Sequence, residues 1–117
     1  MKSILLADDS RFMRNHLKAI LNNSNYTEII EADNGVNAVE MYKKYSPNIV
    51  LMDITMPLLN GVDALKEIIK IDPLAKVVMC TSLGGHHFIK EALSVGAKDF
   101  VVKPYFQNLV LIVNKHV

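Results

Sequence analysis

The chain has 117 residues, half of them hydrophobic and 21% charged, which is enough for one enclosed core and too apolar for a disordered chain. A formal net charge of +1 offers no bulk attraction for nucleic acid or an acidic membrane surface. The single cysteine, Cys80, excludes an internal disulfide framework and a multi-cysteine metal site, and the longest apolar runs are too short to span a bilayer.

In chain order, residues 4–7 (ILLA) form a short apolar run that stops at adjacent carboxylates, Asp8 and Asp9. The acids arrive too early for a signal-peptide core, so the expected location is the cytoplasm. Ser10 is placed to cap a helix striped by Met13, Leu17, Ile20 and Leu21, at i, i+4, i+7 and i+8. Arg11, Arg14 and Lys18 add a basic stripe to that helix, readable as a solvated face or as a docking surface for an acidic partner. Ile29 and Ile30 sit in the second run; Val39, Tyr42 and Tyr45 stripe the helix after it. Pro47 leads into the third run, 49–52 (IVLM), which closes on Asp53. Leu65, Ile68 and Ile69 mark the third helix, and Pro73 the connection to the fourth run, 77–80 (VVMC), which ends at Thr81 and Ser82. Phe88, Ile89, Ala92 and Leu93 mark the fourth helix, which Gly96 stops. The fifth run, 100–102 (FVV), ends at Lys103.

The last helix is unusual. Residues 109–113 (LVLIV) are all apolar, and at about 100° per residue such a run passes right round a helix. A more buried helix, a chain cut near its end, and a partner or dimer surface remain open as explanations.

Continuous apolar runs suit parallel strands covered on both faces, and their alternation with helical stripes implies an α/β, doubly wound five-stranded parallel sheet with five helices, one domain over residues 1–117. Ligands of open parallel sheets bind beyond the carboxyl ends of the strands. Those ends carry Asp8 and Asp9, Asp53, Thr81 and Ser82, and Lys103. Taken singly, each has a plain reading: a helix start, a turn acid, a strand hydroxyl, a solvated ammonium. Together they form a crevice of three carboxylates, hydroxyl groups and one ammonium. Three carboxylates do not all ionise at close range without a cation, and an all-oxygen setting favours Mg²⁺ or Mn²⁺ over zinc. Mg²⁺ usually takes few protein ligands beside a phosphate, so the crevice suits a phosphoryl group, with Asp53 as nucleophile and Lys103 balancing the transferring oxygens.

Two other classes fit less well. A Mg²⁺-dependent phosphatase with an aspartate nucleophile on strand one uses a DxD arrangement, whereas this chain has DD there and its candidate nucleophile on strand three. A flavin carrier would want a hydroxyl-rich phosphate loop after strand one, which ADDSRF does not supply.

LLADDS, MDITMPLLNG, CTS, SVGAKDF and VVKP together resemble the response-regulator receiver family of two-component signalling, over essentially the whole chain. DSRFMR, MDITMP and GAKDFVVKP look most like its single-domain chemotaxis regulators. The resemblance implies a flavodoxin-like three-layer sandwich with strand order 2-1-3-4-5. It implies that Asp53 accepts a phosphoryl group from a sensor histidine kinase or a histidine phosphotransfer protein. It implies that Asp8, Asp9, Asp53 and the Thr55 backbone carbonyl hold Mg²⁺, and that Lys103 pairs with the phosphoryl oxygens. Thr81 would then swing toward the phosphoryl group, and Phe100, where many members carry tyrosine, would be the aromatic switch. Lys103–Pro104 would be cis, which X-Pro bonds tolerate. The output would be a changed surface on helix four, strand five and helix five, read by an effector protein such as a flagellar-motor switch component, with no catalytic turnover, nucleic acid or membrane. The alternative is a receiver clipped from a larger regulator with its own output domain. Thr55 and Leu83 fall where the family tunes loss of the phosphoryl group, and neither carries an amide or carboxylate to orient water, so slow to moderate loss is implied. Asn60 stands where an acid is common, as a turn variation. His16, His86 and His87 read as surface residues, the last two near the presumed switch loop, and Cys80 as inert packing.

Overall fold

A computed structural model describes residues 2–82 and 85–117. Five strands, β1 (Ser3–Ala7), β2 (Glu28–Ala32), β3 (Ile49–Asp53), β4 (Val77–Thr81) and β5 (Asp99–Val102), alternate with five helices. The helices are α1 (Arg11–Asn22), α2 (Gly35–Tyr45), α3 (Gly61–Ile71), α4 (His86–Val95) and α5 (Leu109–His116). All strand pairs are parallel and the order is β2-β1-β3-β4-β5, as the resemblance implies.

Alternation along each strand splits the side chains between two cores. Leu5, Ala7, Val50, Met52, Val77 and Met79 pack with Leu65 and Ile68 of α3 and Ile89 of α4. Ile4, Leu6, Ile49, Leu51, Val78 and Cys80 pack with Leu17 and Leu21 of α1 and Leu109 and Val113 of α5. The sheet is therefore the middle layer of three, and β1, β3 and β4 are apolar at almost every position because both of their faces are covered. Fully burying a side chain such as Leu65 or Ile68 contributes about 1.5–3 kcal/mol.

Polar side chains begin the first three helices. The Ser10 hydroxyl accepts from the Met13 N–H at 3.1 Å, as its position predicts, and Asn34 does the same for Asn37 at 2.7 Å. Asn60 accepts from the Asp63 N–H at 2.9 Å, so it is a helix cap and more than a turn variation. Gly96 ends α4 at φ 139°, a conformation that a side chain would strain.

Three apolar stripes are narrower than their spacing suggests. On α2, Tyr42 is buried with its hydroxyl donating to Asp72 at 2.8 Å, but Tyr45 is exposed. On α4, Ile89 and Ala92 reach the core while Phe88 and Leu93 face outward. On α5, Leu109 and Val113 point inward and Leu111 is 67% exposed, so the run is not an unusually buried helix. One layer of helices over a sheet covers only the stripe facing that sheet, whatever the other faces carry.

Candidate functional site

The parallel register brings β1, β3, β4 and β5 to the same end of the sheet, so their carboxyl-terminal residues converge. Asp8 is buried there and held on every side. Its Oδ1 accepts from the Ser10 N–H at 2.9 Å and its Oδ2 from Lys103 Nζ at 2.7 Å. Its N–H donates to the Ala32 carbonyl at 3.0 Å, and its own carbonyl accepts from Arg14 Nη1 at 2.7 Å. Lys103 Nζ also lies 3.2 Å from Asp53 Oδ1, and the Lys103 N–H donates to the Thr81 carbonyl at 2.7 Å. The Lys103–Pro104 bond is cis, as expected.

Asp8, Asp9 and Asp53 each offer an oxygen within 4.8 Å of the others, the one such cluster among the described residues. Asp9 is exposed and Asp53 buried. Burial pushes the Asp53 carboxyl above its ordinary range; Lys103 opposes the rise, and Asp8 and Asp9 add to it. Burial alone would lower the Lys103 ammonium, but its hydrogen bond to Asp8 and the charges of Asp53 and Asp8 outweigh it and hold it above the usual lysine value. One ammonium cannot balance three carboxylates. The donor set is hard, anionic and all oxygen, and its residual negative charge fits a divalent cation of the Mg²⁺ type.

A cleft of about 530 Å³ opens beside this cluster, lined by Asp9, Asp53, Thr55, Thr81 and Lys103, with Ile54, Ser82, Gly85 and Phe88 completing its wall. The predicted site residues thus meet at one place, with Asp8 behind the cleft wall. Thr81 is buried and its hydroxyl donates to the Ser82 carbonyl at 3.1 Å. On its other side Thr81 borders an apolar pocket of about 340 Å³ shared with Ile89, Leu93 and Phe100. Phe100 is 40% exposed at the rim of that pocket. Leu58, in the loop between β3 and α3, has φ 67°, and the Leu59 N–H closes a tight turn onto the Pro57 carbonyl at 2.7 Å.

Two members of the basic stripe on α1 have a partner within the chain. Arg14 Nε and Lys18 Nζ both contact the Glu31 carboxylate of β2, at 2.9 and 3.0 Å, while Arg11 is exposed. Burial raises the Glu31 carboxyl, but hydrogen bonds and charge from Lys18 and Arg14 outweigh it and set it below its usual value. Arg14 therefore braces the Asp8 carbonyl through an ion pair anchored on the neighbouring strand. His16 is exposed with its ring against Phe106, and the exposed His87 leans on Phe88. Leu83 and the side chain of His86 lie outside the described residues. Burial holds the Cys80 thiol at about 12, consistent with inert packing.

Gly85 and Phe88 line the cleft but were not singled out from sequence. The adjacent glycines at 84 and 85, just after the Thr81 strand end, are the sequence signal that could have pointed to Gly85. Phe88 belongs to the apolar stripe that marks the fourth helix, and only the rotation of α4 over the sheet turns it toward the cleft.

Comparison with known proteins agrees. The model for the response regulator receiver domain matches residues 4–114. The chain is 52% identical to the chemotaxis protein CheY of Thermotoga maritima over 104 residues, 89% of this chain and 87% of that one. It is 47% identical to the Bacillus subtilis CheY over 108 residues, 92% and 90% of the two chains. Among solved structures, the CheX–CheY–BeF3–Mg complex of Borrelia burgdorferi superposes with a TM-score of 0.90 at 35% identity, covering 99% of this chain and 90% of that one. A receiver domain protein from Clostridium thermocellum gives 0.92 at 28% identity, covering 99% and 94%.

Proposed function

Because the chain belongs to the response regulator receiver domain family, a family of phosphoacceptors in two-component signalling, we propose that Asp53 is the residue that takes the phosphoryl group. The observation that carries this is the triangle of Asp8, Asp9 and Asp53 oxygens within 4.8 Å, with Lys103 Nζ reaching both Asp8 and Asp53. Asp53 lines the cleft at a strand end, open to an incoming group, whereas Asp8 is spent on internal partners.

The donor is a phosphohistidine on a sensor histidine kinase or phosphotransfer protein. An Asp53 carboxylate oxygen attacks its phosphorus; the O–P bond forms as the N–P bond breaks, and the imidazole leaves with the bonding pair. Asp8, Asp9, Asp53 and the Thr55 carbonyl would hold Mg²⁺, which when bound supplies positive charge beside the transferring oxygens. Lys103 pairs with a phosphoryl oxygen from the other side, and its double contact with Asp8 and Asp53 orients it before transfer. The protein thereby modifies itself and turns over no separate substrate.

The new charge then biases two states of the molecule. Thr81 turns its hydroxyl toward the phosphoryl group, and Phe100 moves into the pocket of about 340 Å³ that the two residues already share. The surface of α4, β5 and α5 changes with it, and a downstream protein reads that surface, as a free-standing chemotaxis or phosphorelay component in the cytoplasm. Among the described residues no helix is long and apolar enough to cross a membrane. Incubation with Mg²⁺ and acetyl phosphate should add one acid-labile phosphoryl group by intact mass, abolished by Asp53→Asn. Continuous release of phosphate from phosphate esters, or no modification, would overturn the reading.

A further inference from the structure

Gly85 begins α4 at φ −98° and ψ 10°, a backbone conformation open to any residue, and the helix has no side-chain cap there. Its conformation therefore does not require glycine. What glycine alone offers is empty space. A Cβ at this position would lie 2.1 Å from Thr81 Oγ1, far inside contact distance, while Thr81 Cβ would be at an ordinary 3.5 Å. The approach is enforced by one carbonyl: the Ser82 oxygen accepts from the Thr81 hydroxyl at 3.1 Å and from the Gly85 N–H at 3.0 Å.

We infer that Gly85 is a positioning residue: the side chain it lacks is the seat of the Thr81 hydroxyl in the resting state. Threonine has three substituents on Cβ and three staggered wells. With any Cβ at residue 85, the seat accepts neither the hydroxyl nor the larger methyl group. Only the hydrogen fits, so a single well survives and the bond to the Ser82 carbonyl is lost. Rotation about χ1 is the cheap response, because the clash involves the hydroxyl and spares the Thr81 backbone.

This consequence for signalling rests on the reading of Asp53 as phosphoacceptor and Thr81 as the residue that turns toward it. To bond a phosphoryl group, the hydroxyl must leave the seat. A protein that has no seat starts nearer the switched state, and apparent affinity rises by the inverse of the competent fraction.

The test uses Gly85→Ala and Gly85→Ser, two substitutions with the same Cβ and different polarity, in the full chain. Three-bond couplings from the Thr81 methyl carbon to its backbone nitrogen and carbonyl report χ1 directly, without ligand. Both variants should move Thr81 into one well, and both should bind beryllofluoride with Mg²⁺ about three- to tenfold more tightly. In a Thr81→Ala background, Gly85→Ala should give no gain. Unchanged couplings would overturn the inference, as would a gain that persists without Thr81, or a shifted χ1 with affinity unchanged or reduced. Should the unsubstituted protein bind no beryllofluoride and gain no phosphoryl group, the phosphoacceptor reading fails, and the couplings still decide whether Gly85 seats the hydroxyl.

Discussion

Replacing Asp53 with asparagine should stabilise the metal-free protein. At an effective dielectric near 20, two unit charges at 4.8 Å interact by about 3.5 kcal/mol. Ionised Asp53 feels that repulsion from Asp8 in full, and from the exposed Asp9 in a form weakened by water. Lys103 Nζ, at 3.2 Å, returns about 5 kcal/mol on the same scale, but it is shared with Asp8 at 2.7 Å. The charge interactions thus nearly cancel, and what remains is the cost of burying a carboxylate, which also drives the Asp53 carboxyl upward. Asparagine keeps the shape, accepts from Lys103 through its oxygen and donates to a neighbouring carboxylate through its nitrogen, without the charge. Removing one partner of a buried ion pair is costly when it leaves the other charge unpaired, but here Lys103 keeps Asp8 at 2.7 Å, and the carboxylate lost is one in excess of the ammonium, so a gain of about 1–2 kcal/mol is expected. Urea melts in EDTA measure it as a higher midpoint at constant slope. Excess Mg²⁺ should then stabilise the native sequence more than the variant, by mass action on the folded state, and narrow or reverse the gap. Asp53→Asn less stable by more than about 1 kcal/mol in EDTA would refute the balance of charge and burial drawn above.

Glu31→Gln should cost about 1 kcal/mol near neutral pH, since a half-exposed carboxylate with two cationic partners is worth little more. The Glu31 carboxyl is lowered by folding, so its contribution is present above its unfolded value and is lost as pH falls through its folded value. The difference between variant and native sequence in urea melts should therefore vanish in acid and shrink in high salt. Gly61→Ala should cost about 3 kcal/mol or more, because the new methyl would sit 1.9 Å from the Asp53 carbonyl oxygen, a backbone atom that cannot rotate away; thermal and urea midpoints report it. The phosphoryl group on Asp53 should outlast seconds, since Thr55 offers no amide or carboxylate to orient water; decay of the phosphorylated mass after removal of acetyl phosphate measures this.

The element order and the site residues were legible because they rest on local rules. Parallel strands buried on both faces spell continuous apolar runs, and their shared direction brings the residues at their carboxyl ends, Asp8, Asp9, Asp53, Thr81 and Lys103, to one place. The strand order and the cis bond before Pro104 came from the family resemblance, since periodicity along one chain carries no information about which strand lies beside which. Pairings across elements were hidden for the same reason. Nothing local ties Arg14 and Lys18 to Glu31, and their charges read as an open stripe until β2 is set beside β1. The outward turn of Phe88 and Leu93 depends on how α4 is rotated over the sheet, which hydrophobic spacing fixes only to within a residue or so.

The two-sided sheet also bears on inheritance. Leu5 and Leu6 are neighbours in the chain, yet they belong to cores separated by the backbone of the sheet. A change of volume at Leu5 can be absorbed only by Val50, Leu65 or other members of its own side, and one at Leu6 only by Leu51, Leu17 or theirs. Compensating substitutions among descendants of this chain should therefore fall into two sets that drift independently, joined only at the strand ends where Asp8, Asp53 and Lys103 touch one another.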